Sequence, residues 1–267
     1  QLLRICDVSD EYSTGRLHIT TRQDIQIHYV DLNRTPELWS ELEKDDITLR
    51  EACGNTVRNV TASETAGIDV DEPFDTGLSY MHDLGFIAKL ENGEPGFKVM
   101  LGGGLGSQPR HADELYSFLP ADQIIPLMET VIRVFDRYGE RKSRAKARMK
   151  FLLKDLGLDG FKELLAAEKT AVPFDTFPIN PEEYPKIKVS QLEVPKVEIS
   201  NQKEFEQWKS TNVVPQKQPG YVAIGIKVLL GDFYTDKARL LANLVQKYAA
   251  GELRLSLRQN ILIPFVK

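Results

Sequence analysis

Hydrophobic and polar residues alternate through two segments of the chain that resemble each other. Residues Gly15–Val30 read GRLHITTRQDIQIHYV and residues Gly251–Val266 read GELRLSLRQNILIPFV, and the two align without a gap. A tyrosine stands three residues before the glycine in each copy, as Tyr12 and Tyr248. Two copies so far apart indicate a duplicated unit, because the repeats of a solenoid are short and adjacent.

The alternation has the period of a half-buried strand, in which successive side chains point to opposite faces. The apolar face of the first copy carries Leu17, Ile19, Ile25, Ile27 and Tyr29. The polar face carries His18, Thr20, Arg22, Asp24, Gln26 and His28, and the second copy repeats it with Arg254, Ser256, Arg258 and Asn260. Cations and amides with few acids beside them favour an anionic ligand rich in carboxylates or phosphates. An ordinary solvated face is the alternative interpretation.

Elsewhere the pattern changes between helical and strand periods. Asn92-Gly93 is a favoured hairpin turn, and it separates two predicted strands at 85–90 and 96–101. A further strand is predicted at 221–230, and the proline-rich stretch 171–220 predicts an extended linker. Helices are predicted at 1–12, 35–42, 122–138, 143–156, 160–168 and 236–248.

The composition is that of a globular protein with one large domain or two ordinary ones. The chain has 267 residues, of which 42% are hydrophobic and 27% are charged. A net charge of −5 predicts no general affinity for nucleic acid. No apolar run approaches the length of a membrane span, so we expect no membrane partner. The sequence opens on Gln1 rather than methionine, and we expect the natural N-terminus to lie upstream.

Cysteine is scarce, with only Cys6 and Cys53 in the chain. Two thiols exclude a disulfide scaffold and fit a reducing compartment, so we expect a cytoplasmic protein. They are also too few for a 4Fe-4S cluster held by this chain alone, which needs four thiolates. The four histidines are not spaced as zinc ligands, and no metal ligand is predicted in the chain.

A glycine run, Gly102–Gly106, follows a predicted strand as a dinucleotide-binding loop would. Ser107 stands where the GxGxxG pattern needs glycine, and Pro109 discourages an immediate helix. No GK[ST] motif is present, which excludes a P-loop. Two interpretations remain: a backbone that lies close to a flat or bulky ligand, and a plain glycine turn.

Two further groups of cations are candidates for anion binding. The run ERKSRAKARMK places Arg144 and Arg148 on one face of the predicted helix, and a solvated helix surface is the alternative. Arg58 lies between apolar Val57 and Val60, a setting in which arginine usually has a fixed anionic partner; an internal salt bridge is the alternative. Cys53 is interpreted as a packed thiol rather than a nucleophile.

Five motifs together resemble the sirohaem-dependent nitrite and sulfite reductases over nearly the whole chain. They are TTRQDIQIH (Thr20–His28), ACGNTVRNV (Ala52–Val60), HDLGF (His82–Phe86), GFKVMLGGGLG (Gly96–Gly106) and RAKARMK (Arg144–Lys150). One such motif is a weak signal, whereas five in the same order and at similar spacing are specific.

The resemblance implies a six-electron reduction, of sulfite to sulfide or of nitrite to ammonia, with an electron donor such as ferredoxin or a flavoprotein. It implies two cofactors, sirohaem and a 4Fe-4S cluster, which share a cysteine thiolate. Sirohaem carries many carboxylates, which gives the polar strand face and the basic run a ligand. The fold class implied is α+β, with duplicated ferredoxin-like α+β units and a mixed α/β sirohaem-binding domain.

The resemblance also implies roles for individual residues. Arg58 matches an anion-binding arginine on the distal side of the cofactor, and it is the catalytic candidate because it would orient the oxygens of the substrate. The family usually has arginine where this chain has His18. Contacts with the cofactor are implied for His18, Thr20, Arg22, Gln26, Gly103, Gly104, Leu105, Arg144 and Arg148.

The chain departs from the family pattern in three places. The paired two-cysteine motifs that hold the cluster belong after Lys267, and an arginine-bearing strand belongs before Gln1. A stretch that ends in a paired-lysine motif belongs between Thr76 and Gly77, which are adjacent here. We therefore expect a fragment, or a chain with omitted residues, that is inactive by itself.

The predicted organisation follows from the repeat and the resemblance. It has a first ferredoxin-like half at 1–33, a sirohaem-binding domain at 45–168, a proline-rich linker at 169–219 and a second ferredoxin-like half at 220–267. The predicted function is part of a sirohaem/4Fe-4S oxidoreductase. The alternative is a non-catalytic or degenerate module of the same family that binds an anionic tetrapyrrole.

Overall fold

The computed structural model of the protein describes residues 1–49, 57, 59–71, 78–180 and 198–267. They belong to two units, Gln1–Glu72 with Lys186–Lys267 (the first unit) and Pro73–Pro185 (the second unit). The helices are α1 (Leu2–Tyr12), α2 (Thr35–Glu43), α3 (Ile124–Tyr138), α4 (Met149–Lys169), α5 (Gln202–Asn212) and α6 (Thr235–Tyr248). The strands are β1 (Arg16–Ile19), β2 (Ile25–Ile27), β3 (Leu84–Glu91), β4 (Glu94–Leu101), β5 (Asp113–Pro120), β6 (Val213–Pro215), β7 (Val222–Ile226), β8 (Asp232–Tyr234), β9 (Arg254–Leu255) and β10 (Ile261–Val266). This mixture of helices and antiparallel sheets confirms the predicted α+β class.

Each copy of the repeated segment in the first unit is a β-hairpin, formed by β1 with β2 and by β9 with β10. The prediction of one alternating strand was wrong in this respect, because the chain turns after Ile19 and after Leu255. The apolar residues of both strands still lie on one face of the hairpin. Leu17 lies opposite Ile27 and Ile19 lies opposite Ile25, so that these side chains share one face of the hairpin.

The two halves of the first unit share one sheet and pack side chains into common core clusters. One sheet has the order β2-β1-β8 and the other has the order β6-β7-β10-β9. Strand β8 comes from the second half of the sequence and pairs antiparallel with β1. Helices α1 and α6 pack against each other. The fully buried side chains include Ile19, in one core cluster, and Leu17 with Cys6, in a second; both clusters contain residues of helix α6.

The backbone repeats as closely as the sequence does. Gly15 and Gly251, which open the two copies, have φ angles of 71° and 75°. The glutamines of the two Arg-Gln dipeptides, Gln23 and Gln259, both have φ of 61°. Left-handed backbone is uncommon outside glycine, so its recurrence at equivalent positions supports the duplication.

A segment between the two halves also packs in the first unit. Ile68 is buried beside Ala223 and Phe265. The backbone N–H of Lys217 donates to the Ile68 carbonyl at 2.7 Å. Residues 59–71 therefore contact the duplicated halves, whereas the sequence pattern groups them with the 45–168 domain.

The second unit is a three-stranded antiparallel sheet of order β3-β4-β5 with helices α3 and α4 packed together. The predicted hairpin is confirmed, and Asn92 and Gly93 both have positive φ, as its tight turn requires. Side chains from the sheet and from both helices form its core, which contains Val99, Leu101, Leu115, Leu119, Leu127, Val131, Val134, Met149, Leu152, Leu153, Phe161 and Leu165.

Several elements differ from the sequence pattern, among them the short strands β6 and β8, which were not predicted. Strand β5 was not predicted, because register shifts against β4 break its alternation. Helix α4 joins two predicted helices across a kink at Gly157, which has φ of 72°. Helix α5 lies inside the stretch predicted as an extended linker, and Asn201 caps its first turn by accepting from the Glu204 N–H. Within the described ranges, no helix is long and apolar enough to cross a membrane.

Candidate functional site

The turn of the first hairpin, Thr20–Asp24, carries two of the predicted binding residues, Thr20 and Arg22, and His18 and Gln26 lie on the strands beside it. The Thr20 Oγ1 accepts from the backbone N–H of Arg22 at 3.1 Å and of Asp24 at 3.2 Å. The Thr20 N–H donates to the Asp24 carbonyl at 2.9 Å. The Thr20 hydroxyl is therefore used to shape the turn, in the manner of a serine or threonine turn motif.

Arg22 and Gln26 are the predicted residues here whose side chains remain available to a ligand. Both are exposed, and in the described part of the chain neither side chain has a hydrogen-bond or ion-pair partner. Gln26 lies on β2 directly opposite His18. An unpaired guanidinium and a free amide can both donate to a carboxylate, which is the chemistry that the polar face predicts.

His18 is already engaged within the chain. Its Nδ1 lies 2.9 Å from the Asp232 Oδ1, and its Nε2 lies 3.3 Å from the Gln259 Nε2. Arg16 pairs with the same aspartate. The hydrogen bond from Arg16, followed by that from His18, holds the pKa of Asp232 below its usual range. The polar face thus contains an acid from β8 that accepts from Arg16 and pairs with the His18 ring.

The turn of the second hairpin, Ser256–Asn260, has the same internal hydrogen bonds. The Ser256 Oγ accepts from the N–H of Arg258 at 3.2 Å and of Asn260 at 3.1 Å. Arg258 is exposed, and the described residues offer its side chain no hydrogen bond or ion pair. Arg254, which stands where the first copy has His18, donates instead to the Glu64 carbonyl at 3.1 Å and to the Ala66 carbonyl at 2.6 Å.

The glycine run of the second unit is closed on itself by backbone hydrogen bonds. Gly104 and Arg110 exchange two N–H···O bonds of 2.9 Å, and the Gly103 N–H donates to the His82 carbonyl at 2.9 Å. A Cβ on Gly103 would lie 2.4 Å from the Tyr80 carbonyl oxygen. Gly103 therefore permits a close approach to the protein's own backbone. Leu105 is 63% exposed and offers an apolar surface beside the run.

The basic run does not form one helical face as predicted. Arg144 lies in a single 3-10 turn, whereas Arg148 is extended and precedes α4. Arg148 makes a two-pronged ion pair with Asp83, with N···O distances of 3.0 and 2.8 Å. The backbone around Arg144 and Arg148 is therefore not α-helical, and the two side chains do not share one helix face. Arg144 is exposed, with no side-chain partner in the ranges that the structure describes.

Lys150 is a buried cation that supports the glycine run. Its side chain is 5% exposed, and its ammonium donates to the carbonyls of Leu105 at 3.0 Å and Gln108 at 2.6 Å. An ammonium buried against carbonyls fixes their positions, because leaving it unpaired there would cost free energy. Lys150 therefore determines the path of the loop that carries Gly104 and Leu105.

Two predicted residues, Arg58 and Cys53, lie outside the described residues. Cys6 is fully buried, and its burial raises the pKa of the thiol, as expected of a packed cysteine. The described residues contain no group of three or more His, Cys, Asp or Glu side chains that could hold a metal ion.

The residues that sequence reasoning missed are the partners of the predicted ones. Asp232 and Asp83 are carboxylates that pair with His18 and Arg148 across long stretches of sequence, and a single sequence gives no signal for such pairs. Gln23 and Gln259 were detectable, because glutamine recurs at equivalent positions of the two copies. A hydroxyl four residues before Asp24 and Asn260 was the available signal for the two turns.

Comparison with known families matches both units of the chain. A model described as the nitrite/sulfite reductase ferredoxin-like half domain matches residues 1–45 and 214–267. A model described as the nitrite and sulphite reductase 4Fe-4S domain matches residues 73–174. The two models together cover about three quarters of the chain.

Similar proteins include reductases for both oxyanions. A sulfite reductase [ferredoxin] 1 of Mycolicibacterium paratuberculosis is 31% identical over 60% of this chain and 35% of its own length. An assimilatory ferredoxin-dependent nitrite reductase of Haloferax mediterranei is 28% identical over 98% of this chain and 52% of its own. The structure of the Mycobacterium tuberculosis NirA protein shares the fold, with a TM-score of 0.76 at 24% identity over 99% of this chain and 51% of that one. The chain thus spans about a third to a half of the length of these relatives.

Proposed function

Because the chain belongs to the family of sirohaem-dependent nitrite and sulfite reductases, we propose that it is part of an enzyme that reduces sulfite to sulfide or nitrite to ammonia. The observation that carries the proposal is the match of two models of this family to successive parts of one chain. The geometry adds a hairpin turn that presents the Arg22 guanidinium with no hydrogen bond or ion pair to the described residues, as binding of a carboxylate ligand requires.

The family implies two cofactors, sirohaem and a 4Fe-4S cluster. The donors that the chain presents fit sirohaem in their chemistry, because Arg22, Gln26 and Arg144 are exposed donors that the described residues leave unpaired. We propose that these three side chains hold carboxylates of the macrocycle. His18 already pairs with Asp232, and Arg148 already pairs with Asp83. We therefore propose that these two side chains contribute less to cofactor binding than the three unpaired donors.

The cluster does not fit this chain alone. Four thiolates are needed, and the sequence has two cysteines, of which Cys6 is buried among Leu17 and Ala238. We therefore derive no step through the cluster. The chain by itself is proposed to be inactive, with the cluster ligands supplied by other parts of the protein.

The cofactors, when bound, supply the electron chemistry. The residues of this chain bind, orient and provide charge. Arg58 is proposed to hold the oxygens of the substrate and to favour the negative charge that develops on them. Thr20 holds the turn and so fixes the backbone of Arg22. We propose that the loop supported by Lys150 contacts the cofactor through Gly103, Gly104 and Leu105.

Both sulfite and nitrite remain candidate substrates, because the similar proteins include reductases named for each. The electron donor is proposed to be ferredoxin, which those names contain, with a flavoprotein as the other candidate. Cytoplasm is the proposed compartment, although a similar protein of Betula pendula is named as chloroplastic.

The second candidate function is a module that binds an anionic tetrapyrrole without turnover. The shortage of cysteines favours it, since the chain cannot hold the cluster that turnover requires. The reductase and the non-catalytic module would bind the tetrapyrrole at the same site. They differ in whether a 4Fe-4S cluster delivers electrons to it.

The test begins with the visible absorbance spectrum and the iron content of the purified protein. Turnover is then measured on the whole protein, including the parts proposed to supply the cluster ligands, with reduced ferredoxin and with sulfite and nitrite separately. A sirohaem spectrum with formation of sulfide or ammonia supports the reductase. A sirohaem spectrum without turnover supports the module, and a protein expressed with sirohaem synthesis that stays colourless contradicts both.

A further inference from the structure

The two glutamines at equivalent positions of the repeat hold the two hairpins together reciprocally. The Gln23 Nε2 donates to the Leu255 carbonyl at 2.7 Å, and the Gln259 Nε2 donates to the Ile19 carbonyl at 2.8 Å. Ile19 and Leu255 are themselves equivalent positions of the two copies. Each hairpin turn is thus anchored on the last strand residue of the other hairpin.

Gln23 makes a second set of contacts that Gln259 does not make. Its Oε1 accepts from the Ala62 N–H at 3.0 Å and its Nε2 donates to the Ala62 carbonyl at 2.9 Å. The side chain therefore joins three pieces of chain: its own turn, the second hairpin and the 59–66 segment. Gln259 has the ring of His18 as its further neighbour.

The 59–66 segment contacts the same turn from a second point. The Asn59 Nδ2 donates to the Arg22 carbonyl at 2.7 Å and to the Asp24 Oδ1 at 3.1 Å. Arg254 of the second hairpin holds the far end of the segment through the Glu64 and Ala66 carbonyls. The segment is therefore fixed at both ends.

Among the described residues, Arg22 has no hydrogen bond or ion pair from its side chain, although Asp24 lies near enough to interact with it electrostatically, while its backbone is held on both sides. Thr20 accepts from its N–H, Asn59 donates to its carbonyl, and Gln23 follows it in the chain. Holding a backbone in this way reduces the orientations of the side chain, and so lowers the entropy lost when the guanidinium binds an anion.

We propose that Gln23 and Asn59 are positioning residues for Arg22, which they hold in the orientation that binds a carboxylate of the cofactor. The inference rests on the proposed function, because it takes Arg22 as a contact of sirohaem. Neither Gln23 nor Asn59 touches the cofactor in this arrangement. Both act through the backbone of the turn.

Hydrogen exchange tests the mechanical half of the proposal without a cofactor. In the whole protein, Gln23→Met removes three hydrogen bonds to neighbouring segments while it keeps the length of the side chain. Amide exchange within residues 59–66 should become at least about tenfold faster. Unchanged exchange in this segment would overturn the proposal.

The matched control is Gln216→Met. Gln216 is a buried glutamine of the same unit whose Oε1 accepts from the Phe265 N–H at 3.0 Å and whose Nε2 donates to Gln218 at 3.1 Å, and among the described residues it makes no hydrogen bond to 59–66. This variant should lower the melting temperature to a similar extent and leave exchange in 59–66 unchanged. Faster exchange there in both variants would indicate general destabilisation and would contradict a positioning role.

The functional half is tested by the rate at which the holoenzyme loses sirohaem, followed by visible absorbance. Arg22→Gln should accelerate the loss by about tenfold or more, because a charge-assisted hydrogen bond disappears. Gln23→Met and Asn59→Leu should each accelerate it by about threefold to tenfold, and Gln216→Met should not.

A double variant distinguishes action through Arg22 from an independent effect. If Gln23 acts by orienting Arg22, the combination of Arg22→Gln with Gln23→Met should lose sirohaem no faster than Arg22→Gln alone. Multiplicative acceleration would overturn the positioning role and leave the proposed function intact. If Arg22→Gln itself changes nothing, the proposed contact of Arg22 fails, and the inference fails with it.

Discussion

The two hairpins of the first unit have the same backbone and different surroundings. Their turns share a hydroxyl that accepts two N–H bonds, a glutamine with left-handed φ and an exposed arginine, Arg22 or Arg258, whose side chain has no hydrogen bond to the described residues. The third position after the opening glycine differs. His18 faces an acid from a neighbouring strand, whereas Arg254 clamps the 59–66 segment.

This difference shows which part of a duplicated element is constrained by folding. The hydroxyl, the glutamine and the left-handed backbone satisfy the turn's own hydrogen bonds, so both copies retain them. The outward positions meet different partners, and they carry the differences in charge. Arg16 pairs across strands with Asp232, whereas its equivalent in the second copy is Glu252, which pairs with Arg254. Folding thus preserves the turn and leaves the polar face free to diverge.

The largest expected asymmetry is in the core beneath the hairpins. Ile19 is fully buried, whereas its equivalent Leu255 is half-buried. We expect Ile19→Ala to lower the free energy of unfolding by about 3 kcal/mol and Leu255→Ala by about 1.5 kcal/mol. Urea unfolding of the two variants measures both values. Equal losses of unfolding free energy would mean that Ile19 and Leu255 are buried to the same extent, against the expected asymmetry.

The opening glycines give the next comparison. Both have positive φ, but a Cβ on Gly15 would lie 2.9 Å from the Asp10 Oδ1, whereas a Cβ on Gly251 would have nothing within 4 Å. Gly251→Ala should therefore cost about 1 kcal/mol for its backbone conformation alone. Gly15→Ala should cost about 2 kcal/mol, because the hydrogen bond from Thr235 to Asp10 must also shift. Melting curves of the two variants decide whether the crowding matters.

The sequence predicts those features of the structure that depend on residues close together in the chain, and it does not predict contacts between residues far apart in the chain. The duplication, the Asn92-Gly93 hairpin and helix α3 follow from local periodicity and turn chemistry. The basic run is α-helical only from Met149 onward, and Arg148, which is extended just before α4, pairs with Asp83, far away in sequence. His18 was predicted as a contact of the cofactor, and nothing near it in sequence reveals its pairing with Asp232.

The reciprocal glutamines allow a finer test of the pairing of the halves. Gln23→Met and Gln259→Met should each lower the free energy of unfolding by about 1–2 kcal/mol, because each leaves a carbonyl of the other hairpin unpaired. The double variant should lose about 0.5 kcal/mol less than the sum, since both bonds join the same two hairpins. Strict additivity in urea unfolding would show that the two anchors act independently.

The smallest effect concerns acid stability, and it separates the polar face of the first hairpin from that of the second. Arg16 and His18 hold the pKa of Asp232 below its usual range, whereas the unfolded chain should titrate it at about 3.9. The ionised form is therefore favoured by folding. Its stabilisation is complete above the unfolded pKa and is lost as the pH falls through the lower folded pKa.

Asp232→Asn should consequently destabilise the protein at pH 6–7, and its difference from the parent should shrink as the pH falls below about 4. Ser210→Ala on α5 removes no titratable group and should shift stability equally at every pH. Unfolding curves at several pH values measure the difference. A loss for Asp232→Asn that stays constant down to about pH 2 would mean that Asp232 acts through hydrogen bonding alone. Asp232 would then stabilise the first hairpin by its hydrogen-bond geometry and not by its negative charge.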